Sequence, residues 1–298
     1  MKIIDSHQHV HYHGLGPKEV VAEMDAFGIE RTWVLTWYLP AVEDVPASHG
    51  TFNPSNFRPD GTHAGSTLDD VLEACRDYPD RFVPGFCPCP SEGSAAARFE
   101  AAYHMHDVRV CGEWSYRMLL DDPRAVELFR KAGELGCPVV LHMDVPFLPD
   151  GEGGHHYEEF WYGGGMGPLE RALQACPDTV FIGHAPGFWR SISGDEATDP
   201  AKYPQGPVTS GGELLRLLYA YGNLWADLSA GSGLGAMRRD LGHAREFLSQ
   251  YADRLLFGRD APGDELRQFL LGLDISDEVK RKIFCDNALR LVFESARG

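Results

Sequence analysis

A (β/α)8 TIM barrel is the fold class the sequence predicts, and three observations carry it. Eight short runs rich in Val, Ile, Leu, Phe or Trp recur along the 298 residues. Helix-like segments lie between them, the alternation that builds a parallel sheet wrapped in helices. Several of the runs end on a polar side chain able to bind a metal or move a proton. The chain is expected to form a single domain over residues 1–298.

The predicted strands occupy residues 2–7, 31–37, 81–87, 108–113, 138–143, 179–184, 223–228 and 254–259. Several are near-continuous apolar runs rather than alternating ones, as expected of parallel strands buried on both faces. Helical spacing follows each of them. Residues 18–27 place Val21 and Met24 on one side, and residues 67–77 open on Thr67 as an N-cap before Leu68, Val71, Leu72 and Cys75. Further helices are expected at 95–106, 124–135, 168–176, 212–221, 236–251, 265–272 and 277–295. An open doubly wound sheet is the rival, but no glycine-rich phosphate loop follows the first strand. Three segments, 39–66, 144–167 and 185–211, are long for plain connections and follow strands, which places them at the C-terminal rim where barrel enzymes build their sites.

Composition narrows the function. Hydrophobic residues make up 43% and charged residues 24%, ordinary for a globular protein. The net charge of −17 argues against nucleic acid or an anionic membrane as a partner. No apolar run approaches the roughly 20 residues that span a bilayer. Met1 leads straight into the first strand, and the seven cysteines are odd in number without a CxxC pair. Reduced, buried thiols and a cytoplasmic location are therefore expected.

The strand ends carry the chemistry. Asp5-Ser6-His7-Gln8-His9 puts two imidazoles two residues apart, on one face of a strand. The fourth strand ends on Glu113, the fifth on His142, the sixth on His184 and the eighth on Asp260. In a barrel these groups meet at one mouth, and imidazoles with carboxylates suit a borderline divalent ion such as zinc, with manganese or iron as alternatives. Without a cation, such a cluster would bury several charges at high cost.

On Asp5-x-His7-x-His9, the strand-end His142, Gly183-His184 and Phe257-Gly258-Arg259-Asp260, the chain resembles the amidohydrolase superfamily over essentially its full length. The resemblance is to the amidohydrolase-2 branch that includes aminocarboxymuconate semialdehyde decarboxylase. It implies that His7, His9, His142 and Asp260 are metal ligands and that His184 is the catalytic, substrate-facing histidine. Many relatives have Ser where Arg259 stands, which bears on the substrate contacts beside Asp260. Some superfamily members bridge two metals at the end of the fourth strand, a role open to Glu113, as is orienting a histidine.

The expected activity is metal-dependent hydrolysis of an amide, ester or lactone, with Asp260 taking a proton from water and His184 polarising the substrate. The alternative is non-oxidative decarboxylation of a small unsaturated or aromatic acid. A non-catalytic metal-binding barrel is a third reading. The expected partner is a small molecule, with self-association open to a barrel of this kind. Strand-end loops rich in Trp37, Trp114, Phe160, Trp161, Phe188 and Trp189 suit a small, flat or carboxylated substrate, with Arg190 and Trp161 as its contacts.

Overall fold

The computed structural model describes residues 1–294, and all eight expected strands are present in it. They are β1 (Ile4–Gln8), β2 (Arg31–Val34), β3 (Phe82–Pro84), β4 (Cys111–Trp114), β5 (Val139–His142), β6 (Phe181–His184), β7 (Leu224–Asp227) and β8 (Leu255–Leu256). Neighbours pair in parallel in chain order. β1 pairs with β2 and β2 with β3, while β4 through β8 form a second run. A parallel bridge between Gly85 and Val110 joins the two runs. The ring closes where Ser6 N donates to Phe257 O at 2.9 Å and Asp260 N donates to His7 O at 2.9 Å. The (β/α)8 barrel is thus complete.

The interior is packed by Ile4, Trp33, Leu35, Val83, Val110, Val140, Ile182, Trp225 and Leu256, with Ala288, Leu291 and Val292 of the C-terminal segment against them. A larger apolar cluster lies between the strands and the surrounding helices. Because side chains alternate along a strand, Val140 and His142 share the inner face, as do Ile182 with His184 and Trp225 with Asp227. β1 and β4 break the rule. Counting in twos from Ile4 reaches Ser6 and Gln8, yet His7 turns inward, and counting from Val110 reaches Gly112 rather than Glu113. Both strands carry a pairing irregularity at that point, between Asp5 and Gln8 and between Cys111 and Trp114. An inserted kink of this kind re-aims the side chains beyond it.

The helices follow the expected positions closely. Thr67 caps Leu68–Asp77 with a reciprocal capping box, Asp70 N donating to Thr67 Oγ1 and Thr67 N to Asp70 Oδ2. Ala95–His106 and Glu265–Gly272 match throughout. The single helix expected at 236–251 is two, Ala230–Arg238 and Leu241–Gln250. Asp240 ends the first by turning its carboxylate onto His243 N at 3.0 Å, which starts the second. The glycine-rich stretch before 236 is helical after all, because Gly233 packs where a Cβ would lie 2.3 Å from Leu228 O. The last helical segment starts at Asp277 as expected, and its expected end at Ser295 lies outside the described residues. No helix among the described residues is long and apolar enough to cross a membrane. The seven cysteines are free, six of them buried.

A buried ion pair reinforces the closure of β8 onto β1. Asp5 accepts from Arg259 Nε at 2.7 Å and from Arg259 N at 3.0 Å, and Arg259 Nη1 donates to Glu23 at 2.6 Å. Arg259 thus points away from the barrel mouth. Asp5→Ala should cost about 3–5 kcal/mol in urea unfolding by stranding the guanidinium, and adding Arg259→Met should restore a substantial part. An unchanged unfolding midpoint would remove this pair from the closure.

Candidate metal centre

The sequence-expected ligands meet in one place. His7, His9, Glu113, His142, His184 and Asp260 stand at the C-terminal ends of five strands, and all but His142 are buried. His7 Nε2 lies 3.3 Å from His9 Nε2, 3.4 Å from Glu113 Oε1 and 3.6 Å from Asp260 Oδ1. His9 Nε2 is 3.5 Å from Asp260 Oδ1. His184 Nε2 is 3.2 Å from Asp260 Oδ2 and 3.6 Å from Glu113 Oε1, and His142 Nδ1 is 3.2 Å from Glu113 Oε1.

The outer nitrogens decide what the inner ones can do. His9 Nδ1 donates to the Leu35 carbonyl at 2.8 Å, so its Nε2 carries a lone pair when the ring is neutral. His7 Nδ1 donates to Asp227 Oδ2 at 2.7 Å with the same result. The 3.3 Å contact between these two Nε2 atoms is therefore acceptor against acceptor. Glu113 Oε2, His184 Nε2 and Asp260 Oδ1 are likewise buried without a hydrogen-bond partner. Atoms so arranged need a cation between them, either a metal ion or protons on the rings.

A metal ion fits that need. A tetrahedral ion with bonds of about 2.0–2.1 Å separates its ligands by roughly 3.3–3.4 Å. The separations among His7, His9 and Asp260 run from 3.3 to 3.6 Å. Glu113 belongs to two groupings of metal-ligating atoms, one with His7 and His9 and one with His142 and His184. Each imidazole is also held from outside, as metal-binding histidines usually are. His142 is held by Asp144, its Nε2 lying 3.5 Å from Asp144 Oδ2.

The electrostatics agree. Burial alone would push the His7 imidazole down, but Asp260, Glu113 and Asp227 override it and hold it up at about 10. His142 is held at about 10 by Glu113 and Asp144 against the same burial. Glu113 is buried, which favours its neutral form, yet His142 and His7 keep its carboxyl well below the usual range. The carboxylates outweigh the positive charge the site contains. Protons on the rings take the place that a divalent ion would fill.

Above the cluster opens a cleft of about 340 Å³ lined by Tyr12, Trp37, Phe160, Tyr162 and Tyr203, with Lys202 at the entrance. His142, His184 and Asp260 form its floor. Of the long rim segments, 144–167 and 185–211 line it directly, whereas 39–66 sends Phe52 to pack behind Tyr12 and Trp37.

Two expected substrate contacts stand elsewhere. Arg190 is buried and donates from Nη2 to the carbonyls of Glu196 and Asp199, at 2.7 and 2.8 Å, tying its own loop together. Trp161 Nε1 donates to Tyr157 on the rim, outside the cleft lining. Trp114, Phe188 and Trp189 are core residues. Several positions at the cluster and the cleft escaped the sequence reading. Asp227 ends the apolar stretch Leu224-Trp225-Ala226 as His142 and His184 end theirs, a signal that was available. Lys202 and Tyr203 sit in a Pro-rich loop with no local pattern to announce them.

A family model described as Amidohydrolase matches residues 4–293. The chain belongs to the amidohydrolase family. Solved structures share this amidohydrolase's fold over nearly the whole chain at low identity. An uncharacterized TIM-barrel protein from Bordetella bronchiseptica is 20% identical with a TM-score of 0.65, each chain covered at 100%. A 2,6-dihydroxybenzoate decarboxylase from Rhizobium is 18% identical with a TM-score of 0.58, each chain covered at 98%. A dihydroxybenzoic acid decarboxylase from Polaromonas, solved with bound manganese and 2-nitroresorcinol, is 18% identical with a TM-score of 0.59, covering 100% of this chain and 99% of that one. No curated protein matches the chain.

Proposed function

We propose that this amidohydrolase is a metal-dependent carboxy-lyase that removes carbon dioxide, without oxidation, from a small aromatic or unsaturated acid. The observation that carries the reading is the aromatic cleft standing directly over the histidine–carboxylate cluster with one lysine at its entrance. The fold neighbours that act on dihydroxybenzoates lend further support. His7, His9 and Asp260 would hold a divalent ion, with Glu113 and His142 adjoining. That ion, manganese or zinc, would supply Lewis acidity toward oxygen atoms of the substrate.

The remaining roles fall to the chain's own residues. Tyr12, Trp37 and Tyr162 line the cleft and would pack against and orient a flat ring. Lys202 Nζ, ion-paired with Asp144 at 3.4 Å and Glu158 at 3.6 Å, lines the cleft where an anionic substrate group would have to compete with those carboxylates for it. Breaking the bond to the carboxylate leaves an electron pair on carbon, which must take up a proton. His184 Nε2 and Asp260, 3.2 Å apart on the cleft floor, are placed to take up a proton and pass it to that carbon.

Hydrolysis remains a second reading, favoured by Glu113. A carboxylate shared by two ligand groupings suits a pair of cations and water activation between them, with Asp260 as proton acceptor.

Product analysis tests the choice. Incubation with 2,6-dihydroxybenzoate or 5-carboxyvanillate should yield carbon dioxide and, in heavy water, deuterium at the ring carbon that had carried the carboxylate, whereas a panel of lactones and amides should stay intact. Uptake of 18O from labelled water into a product acid would instead establish hydrolysis. Metal analysis should find at least one divalent ion per chain, and its removal by chelation should lower the melting temperature by about 5–10 °C. A stoichiometry of one would retire the bridging role of Glu113. Lys202→Met should raise KM for the acid about 10–100-fold with little change in kcat, and Lys202→Arg should recover part of it. An unchanged KM would dismiss the lysine as a substrate contact.

A further inference from the structure

Ser229 stands at the N-cap position of the helix Ala230–Arg238, where a serine normally accepts a hydrogen bond from the first helical turn. Its side chain makes no such bond. The hydroxyl is turned instead toward the barrel mouth, 2.7 Å from Asp227 Oδ2 and 2.9 Å from His184 Nδ1. Ser229, Asp227 and His184 are all buried.

The proton positions follow from what each atom can do. Asp227 Oδ2 is a carboxylate oxygen and only accepts, so the single hydroxyl proton of Ser229 goes to it. Ser229 Oγ is then the acceptor toward His184, and the proton between them belongs to His184 Nδ1. Its Nε2, in the neutral ring, is left bare, facing Asp260 Oδ2 at 3.2 Å and without a hydrogen-bond partner. The same Asp227 oxygen takes the Nδ1 proton of His7 at 2.7 Å. One carboxylate oxygen thus sets the ring state of two imidazoles, one directly and one through a hydroxyl.

Gly258 leaves the room that this convergence needs. A Cβ there would lie 2.6 Å from Asp227 Oδ1, 2.8 Å from His7 Cβ and 3.1 Å from Ser229 Cβ.

We infer that Ser229 and Asp227 are positioning residues that lock His184 in the Nδ1-protonated tautomer, so that its Nε2 meets the cleft as an acceptor. Asp227 acts on both His7 and His184, whereas Ser229 acts on His184 alone. The assignment is independent of which bond the enzyme breaks.

Histidine 15N spectra of the zinc-loaded full chain test it, with His184→Gln identifying the His184 signals. Wild type should show His184 protonated at Nδ1. Ser229→Ala should move His184 toward the Nε2-protonated form, leave His7 protonated at Nδ1 and keep zinc affinity within about threefold of wild type. Ser229→Thr, which restores the hydroxyl, should return the wild-type His184 signals. Asp227→Asn should disturb both rings and weaken zinc by about 10–100-fold, the usual cost of losing an outer hydrogen-bond partner. Because Ser229 caps no helix N–H, Ser229→Ala should fold, and Ser229→Cys, close in volume and a weaker donor, should shift His184 the same way. A His184 spectrum unchanged in both variants overturns the inference. So does a loss of zinc affinity in Ser229→Ala as large as in Asp227→Asn.

Discussion

Four imidazoles and two carboxylates face one another at the barrel mouth with too few protons to satisfy them, and the surrounding structure is arranged around that confrontation. His7 and His9 each spend their Nδ1 proton outward, on Asp227 and on the Leu35 carbonyl. Their inner nitrogens are left 3.3 Å apart, two acceptors whenever both rings are neutral. In water such a pair would rotate away. Here each ring is held by its outer bond and by the packing of the barrel, so the repulsion stands until a cation relieves it. That is the physical meaning of a preformed ligand site: the protein's folding energy supports an arrangement that is costly until it is filled.

The same constraint explains features that look structural. Gly258 has no side chain because Asp227, His7 and Ser229 converge on it. Gly183 lacks one because the Phe188 ring fills the space where a Cβ would stand. Arg259 turns its back on the site to hold Asp5, and through Asp5 it joins the strand bearing His7 to the strand end bearing Asp260. The two rim segments that line the cleft then add what the cluster lacks, namely aromatic walls and a single ammonium. That ammonium is paired with Asp144 and Glu158.

Much of this was legible in the chain. The eight apolar runs located every strand of the barrel, since a strand buried on both faces cannot hide its composition, whereas the short rim pairs such as Phe147–Pro149 with His155–Tyr157 were not foreseen. The ligand-capable residues at their ends were visible for the same reason: a polar group closing an apolar run is expensive unless it has a task. Asp227 obeyed the same rule and was overlooked. The helix expected at 236–251 was misread because Asp240 looks like an interior polar residue until its carboxylate is seen capping the next helix. Arg190 looked like a substrate contact because it is a cation near a strand end; its Nη2 donates to loop carbonyls.

What the sequence determined by itself was the barrel and the identity of the cluster at its mouth, because burial and strand periodicity are written in composition. The tertiary structure decided which way the cluster faces and what orients it. Strict alternation would have sent Ser6 and Gly112 inward in place of His7 and Glu113, and the irregularities in β1 and β4 reverse that parity. The bond from His7 to Asp227 spans 220 residues, and Lys202 reaches the cleft only because its loop folds back over Asp144 and Glu158. Those are contacts between distant segments. They depend on three-dimensional closure, which no local pattern of residues records.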